Sequence, residues 1–210
     1  MLRAMGAPIR SSPARGPARS PVHPSQVREA ALTLFAERGY RATTMSDVAD
    51  ALGIRAPSLY NHVGSKHELL REIMVGTMER LLADHGVAVA STVDVVEQLR
   101  RATEAHVRYH ARHQREAFVG NREIRALEPE VRAAVLARRA EYERGFRALI
   151  ERGAESGRFS VESPRLASYS ILEMGIGVAT WFRDDGPLSE AEVAYHYGEF
   201  ALRLVGAERG

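Results

Sequence analysis

The 210-residue chain contains no cysteine, which excludes disulfides, zinc–thiolate centres and cysteine nucleophiles. It also lacks any run approaching the roughly 20 apolar residues that cross a bilayer, so no membrane partner is expected. There is no phosphate-cradling glycine loop, no HExxH helix and no G-x-S-x-G elbow. Gly175-x-Gly177 lies inside an apolar helical run rather than after a strand, so it is not a dinucleotide fingerprint. These absences argue against an enzyme and predict no cofactor. Sustained period-two alternation is missing as well, so essentially no β-sheet is expected. No apolar stretch precedes the N-terminal prolines, so no secretory signal is read and a cytoplasmic location is the simplest expectation. Lysine is nearly absent: of 29 basic residues only Lys66 is one.

What charge there is sits unevenly. The net charge is +2, yet residues 1–24 carry Arg3, Arg10, Arg15 and Arg19 with no acid, while 25–70 are balanced and the remainder is slightly acidic. The same first segment holds five of the nine prolines among Gly, Ala and Ser, which reads as a disordered basic arm. Such an arm is either a solvated tail or a contact for an anionic partner.

From residue 25 onward the pattern is helical. Val27, Ala30, Ala31, Leu34 and Phe35 recur at the spacing of one helix face over 25–38, and Gly39 is a stop. Thr44 is an N-cap for a short second helix, with Asp47 placed for the free amides and the dipole. That helix ends at Leu52-Gly53. Pro57 opens a third, ending near Val63-Gly64. Ser65-x-x-Glu68 is a capping box for a fourth with the stripe Leu69, Leu70, Ile73, Met74, Met78, Leu81 and Leu82. Further helices are expected over 93–112, 115–127 and 129–157, then after Ser163-Pro164 to about residue 183. The last follows the box Ser189-x-x-Glu192. The fold class is therefore all-α, with about nine helices.

Two short helices joined by a glycine turn and braced by longer ones have the geometry of a helix-turn-helix. The second must be slim and polar, and 55–62 (RAPSLYNH) is: Ala56 and Ser58 allow close approach to base edges, and Arg55 can reach guanine acceptors. Thr44, Tyr60, His62 and Lys66 are candidate phosphate contacts. As a compact point charge, Lys66 suits a lone phosphate, although a solvent-facing place in the cap is the plain alternative. The run A-x-x-L-F-A-E-R-G-Y-x-A-T-T-M-S-D-V-A-D-A-L-G-I-x-x-x-S-L-Y-N-H-V-x-S-K-x-E-L-L, within the stretch from Ala30 to Ile73, closely resembles the TetR family signature. The resemblance covers some 45 residues. It implies backbone contacts from Thr44, Tyr60, His62 and Lys66, and base approach by Ser46, Arg55, Ala56 and Ser58. Asn61 and Val63 depart from the usual pattern, so phosphate contacts at Asn61 can differ.

The resemblance further implies a DNA-binding domain at 25–70, a ligand-binding and dimerisation bundle at 71–210, and a homodimer paired through its last two helices. Its partners would be a double-stranded operator and a small-molecule effector. The run 165–182 is apolar on nearly all faces, and Gly175, Gly177 and Ala179 would permit close helix approach. Candidate ligand-binding residues are His106, Tyr109, His110, Phe118, Arg122, Tyr142, Phe146, Tyr169, Trp181 and Arg183. The run Trp181-Phe182-Arg183-Asp184-Asp185-Gly186-Pro187 is similar to a segment of TetR-type repressors of lipid and steroid catabolism, which makes acyl-CoA or a fatty acid the leading effector, with Arg122 or Arg183 facing its anionic groups. His106, His110 and His113 share one face, but no fourth ligand is apparent, and a partly buried polar stripe is preferred to a metal site. A helical interaction module without DNA binding is the remaining rival.

Overall fold

The computed structural model describes residues 22–207, and every regular element in it is helical. The basic-arm expectation for 1–24 falls almost wholly outside the described residues. Helix α1 (Pro24–Arg38) starts one residue earlier than the spacing suggested, because Pro24 occupies the first turn and His23 and Gln26 cap it reciprocally. Its Val27, Ala31, Leu34 and Phe35 are buried. Gly39 ends it at φ 85°, ψ 151°, a backbone region open essentially to glycine alone.

Helices α2 (Met45–Ala51) and α3 (Ala56–Leu59) follow. Thr44 and Asp47 form a capping box, with Thr44 Oγ1 accepting from the Asp47 amide at 3.1 Å and Asp47 Oδ2 accepting from the Thr44 amide at 2.7 Å. Helix α4 (Lys66–Ala90) begins at the cap Ser65, but the reciprocal half of the expected box is absent. Glu68 instead accepts from the amide of Gly64 at 2.7 Å. The free amide one residue upstream is satisfied in place of that of Ser65. Helix α4 then runs without a break past residue 70, carrying its buried stripe from the first bundle into the second.

Helix α5 (Val95–Arg112) starts later than expected, since Asp94 is its N-cap and Val93 is 99% exposed. The predicted segment at 115–127 divides into α6 (Gln114–Arg122) and a 3₁₀ turn at Ile124–Ala126. Helices α7 (Pro129–Glu155), α8 (Pro164–Trp181) and α9 (Glu190–Leu204) complete the order, the last opened by the reciprocal box of Ser189 and Glu192. Helix α5 is the axis of the larger bundle, packing against α4, α7, α8 and α9. One apolar core runs continuously from Phe35, Val48 and Leu59 through Ile73 to Leu99, Phe146, Ile150 and Ile171. Helix α6 touches α1, so the smaller bundle is braced by more than the shared α4.

Candidate DNA-reading surface and effector cavity

The α2–α3 pair is positioned from beneath. Val48, Ala49 and Leu59 are fully buried against α1 and α4. With Leu59 pinned in the core, the rest of the short α3 turn faces outward. Thr44, Ser46, Arg55, Tyr60, Asn61 and His62 are exposed, while Ala56 and Ser58 are half-buried. Arg55 makes no ion pair among the described residues. Eight of the nine expected contacts are therefore exposed or half-buried in and beside α2 and α3. Arg41, exposed beside them, is a further cation that the motif reading passed over.

Lys66 is placed differently from the rest. Its Nζ donates to the carbonyls of Tyr40 at 2.9 Å and Thr43 at 2.7 Å, and lies 4.5 Å from the centre of the Tyr40 ring. An ammonium has three N–H donors, so one remains for an outside acceptor. Thr43, fully buried, donates its hydroxyl to the Gly39 carbonyl at 2.9 Å. Together Lys66 and Thr43 lace the α1–α2 turn to the start of α4. Tyr40, Thr43 and the lysine lie too far apart in sequence for a spacing rule to join them.

In the larger bundle a cavity of about 230 Å³ opens between α4, α5, α6, α7 and α8. Of the ten expected ligand residues, His106, His110, Tyr142 and Tyr169 line it. Phe146 is fully buried behind it in the core. Tyr109 lies under another surface depression. Phe118 and Trp181 point outward, and Arg122 stacks on Phe118 at 4.7 Å instead of turning inward. The periodicity reading missed Met78, Leu81, Leu172 and Arg139, which do form the wall. Arg139 is partly buried, donates to the Gly120 carbonyl at 2.9 Å and forms no ion pair among the described residues. Desolvation lowers its pKa from the usual arginine value.

Two buried side chains hold each other at the floor. The Nε2–H of His106 donates to the Leu172 carbonyl at 3.0 Å, which leaves Nδ1 as the acceptor for the Tyr142 hydroxyl at 3.0 Å. Burial lowers the His106 pKa to about 4, with the hydrogen bond to Leu172 opposing the shift, and pushes the Tyr142 hydroxyl far up. With both nitrogens engaged, His106 is not free to ligate a metal. His113 caps α5, its Nδ1 3.2 Å from Glu116 Oε1. The histidine stripe is thus divided between a buried pair and a cap.

Gly175 permits the close approach of α8 to α5 at this floor. A β-carbon there would lie 2.2 Å from the His106 ring. Gly177, by contrast, faces open space, and α8 and α9 expose Leu166, Tyr169, Trp181, Tyr195, Phe200 and Leu204.

A second, open cleft of about 700 Å³ lies between α1 and the turns that follow α5 and α8. Arg28, Arg80, Arg112, Arg115 and Arg183 line it, and Glu116 lines both it and the cavity. Arg112 is taken by Glu190 in two bonds of 2.6 and 2.7 Å, and Arg183 by Asp185. Arg28 and Arg80 have no carboxylate partner among the described residues. Helix α6 joins the regions: Arg115 reaches Glu29 of α1 at 3.3 Å, and Glu123 accepts from the Tyr40 amide at 3.2 Å. The opposite side of α6 gives Ala117, Gly120 and Asn121 to the cavity wall.

Residues 27–73 match the family described as bacterial regulatory proteins, tetR family, and residues 92–205 match the tetracyclin repressor-like C-terminal domain. The chain is 30% identical over 185 residues to the HTH-type transcriptional repressor KstR2 of Mycobacterium tuberculosis, covering 87% of this chain and 92% of that protein. Among solved structures, the TetR family transcriptional regulator PfmR from Thermus thermophilus superposes with a TM-score of 0.77 at 39% identity, covering 87% of this chain and 99% of that one. AibR in complex with isovaleryl coenzyme A and operator DNA superposes with a TM-score of 0.76 at 25% identity, over 88% and 99%.

Proposed function

Because the chain belongs to the TetR family of bacterial regulatory proteins and is a DNA-binding transcriptional regulator rather than an enzyme, we propose that it is a homodimeric repressor released from a palindromic operator by an acyl-coenzyme A thioester. The head at 25–70 reads DNA: Ser46, Arg55, Ala56 and Ser58 approach bases, and Thr44, Tyr60, Asn61, His62 and the spare N–H of Lys66 meet the backbone. The apolar α8–α9 surface pairs with its twofold mate, setting two reading helices roughly 34–36 Å apart.

The observation that carries the reading is the double attachment of α6, which walls the cavity on one side and is fastened to α1 and Tyr40 on the other. A guest that displaces α6 moves the head with it. The cavity's 230 Å³ falls below the roughly 300 Å³ at which sites enclose drug-sized ligands, so it holds an acyl body while the nucleotide lies outside. The adjoining cleft, with Arg28 and Arg80 unpaired, suits those phosphates, and the relative crystallised with isovaleryl coenzyme A and operator DNA makes the same class of ligand the natural first trial. Release is then a population shift toward a head spacing that misfits the operator.

The experiment is an anisotropy titration on a duplex selected from random DNA, repeated with isovaleryl, hexanoyl and cyclohexanecarbonyl coenzyme A. At least one thioester should weaken DNA binding by about tenfold or more, a coupling of about 1.4 kcal/mol. If thioesters bind by calorimetry and leave operator affinity unchanged, the coupling through α6 is wrong.

A further inference from the structure

Three buried polar side chains stand in the cavity wall: His106, Tyr142 and His110. The first two satisfy one another and the Leu172 carbonyl. His110 does not share in this. It is 5% exposed, its ring centre lies 4.6 Å from that of His106, and neither of its nitrogens has a hydrogen-bond partner among the described residues. An unpaired buried polar group is costly, and here a whole imidazole, donor and acceptor together, is left so at the edge of an otherwise mostly apolar space. Met78, Leu81, Ala117, Leu172 and Ile176 make much of the wall apolar, and although Thr77, Glu116, Asn121, Arg139, Glu143 and Glu173 also line it, none of them hydrogen-bonds a His110 nitrogen.

Resting on the reading of this cavity as the effector site, we infer that the effector's acyl body carries a neutral oxygen function, a hydroxyl or a ketone, which hydrogen-bonds His110, so that oxygenated acyl groups are preferred over plain hydrocarbon ones. A hydrocarbon guest would leave both nitrogens unpaired. A carboxylate at that depth would be a buried charge facing an uncharged ring, because burial and the neighbouring His106 and His113 hold the His110 pKa down near 2. A hydroxyl or ketone oxygen supplies what a neutral imidazole can use: either accepts from the ring N–H, and a hydroxyl also donates to the bare nitrogen. Both nitrogens are buried, with the ring packed against His106 and Tyr109, so a guest is met by turning the ring about its Cβ–Cγ bond, a torsion that is broad for histidine. Arg139, with no carboxylate partner, is on hand for an acidic or thioester end of the same molecule.

The test uses a matched pair differing by one oxygen, cyclohexanecarboxylate and 4-oxocyclohexanecarboxylate, each as the free acid and as the coenzyme A thioester, titrated calorimetrically into the full-length protein. The keto member should bind about tenfold tighter in at least one form. His110→Phe, which removes the unpaired nitrogens at similar volume, should erase that preference without lowering the melting temperature. His110→Gln, which retains a donor and an acceptor, should keep part of the preference and serves in place of the phenylalanine variant should that one not fold. Equal binding of the pair to the unaltered protein, a preference that survives His110→Phe, or failure of both members in both forms overturns the inference. The anisotropy arm separates it from the repressor reading. A plain thioester that binds equally and still releases DNA sinks only the role of His110, whereas a clear keto preference with no effect on DNA sinks only the release mechanism.

Discussion

Replacing Lys66 by alanine tests whether this residue holds the reading head together, touches DNA, or does both. The ammonium makes two charge-assisted hydrogen bonds, to the carbonyls of Tyr40 and Thr43, and sits over the Tyr40 ring. Hydrogen bonds to charged groups contribute about 1.5–3 kcal/mol each. Here the lysine is only half-buried, and water can reach the freed carbonyls, so a total loss of about 2–3 kcal/mol is expected. For a folded unit of this size each kcal/mol moves the melting temperature by about 2–4 °C, giving a fall of about 4–12 °C in a thermal melt followed by circular dichroism. If the remaining N–H also meets a phosphate, the plot of log affinity against log salt loses about 0.9 of its slope.

Lys66→Arg separates the two roles. It keeps the charge, and with it the salt slope, but a planar fork cannot converge on two carbonyls as a point charge does, so it should recover at most about half of the lost melting temperature. A Lys66→Ala protein that melts within about 1 °C of the unaltered one, the range of inconsequential surface changes, refutes the reasoning that the two carbonyl bonds brace the turn.

Leu59→Ala removes the fully buried anchor of the recognition turn and should destabilise the head by about 2–5 kcal/mol; a shallow or absent loss by urea denaturation would show that α3 is held by its neighbours alone. Gly175→Ala puts a β-carbon 2.2 Å from the His106 ring, so the ring must yield its bond to Leu172; overpacking of about 1–3 kcal/mol should appear in the melt, and an unchanged stability would mean that the floor is more pliable than its geometry implies. Glu29→Gln breaks an exposed pair with Arg115 that contributes less than about 1 kcal/mol, so melting should barely move while thioester-induced release of DNA weakens; undiminished release would exonerate that link. Acid should destabilise the body well before carboxylates titrate. His106 and His110 stay neutral when folded, with pKa values lowered by burial from 6.5 to about 4 and about 2. At these two positions the unfolded chain takes up two protons below 6.5 that the folded one refuses, and burial lowers the His85 pKa in the same sense. Stability is therefore full above 6.5 and falls with pH below it, His106 and His110 together accounting for about 4 kcal/mol between pH 7 and pH 5; His110→Phe should remove about half of that part, and a flat profile over this range contradicts the burial of the pair.

Much of the helical layout could be read in advance because its determinants are local. Gly39, Thr44 with Asp47, and Ser189 with Glu192 each act within three or four residues of the backbone they satisfy, and each occupies its expected place. The same locality explains where such reading stops. Ser65-x-x-Glu68 carries the pattern of a reciprocal cap, yet Glu68 has a second free amide within reach, that of Gly64, and the pattern cannot rank the two. Asp94 rather than Val93 precedes α5, yet its carboxylate makes no cap hydrogen bond and pairs instead with Arg158 at 3.3 Å, a partner that local spacing does not reveal.

The effector cavity was less legible for a different reason. Helical spacing says which residues share a stripe, but a cavity is a place where stripes from five helices fail to meet, and that depends on how each helix is rotated against the others. His106 and His110 fall on the wall while Tyr109, one residue away from His110, does not. Phe146 fills the core that Tyr142, one turn earlier, only borders. Arg139 gave no signal among 28 arginines, since what marks it is its partly buried place in the cavity wall rather than anything adjacent in the chain. Gly175 shows the dependence most clearly. Small residues along an apolar helix predict close helix approach, and this one supplies it to α5, whose His106 ring takes the space of the missing β-carbon and donates to Leu172. That histidine in turn takes up the Tyr142 hydroxyl and leaves His110 as the one buried polar group of the wall with nothing to bind. The polar character of the site thus follows from a glycine 65 positions away from the residue it affects, a dependence that exists only once α5 and α8 are packed together.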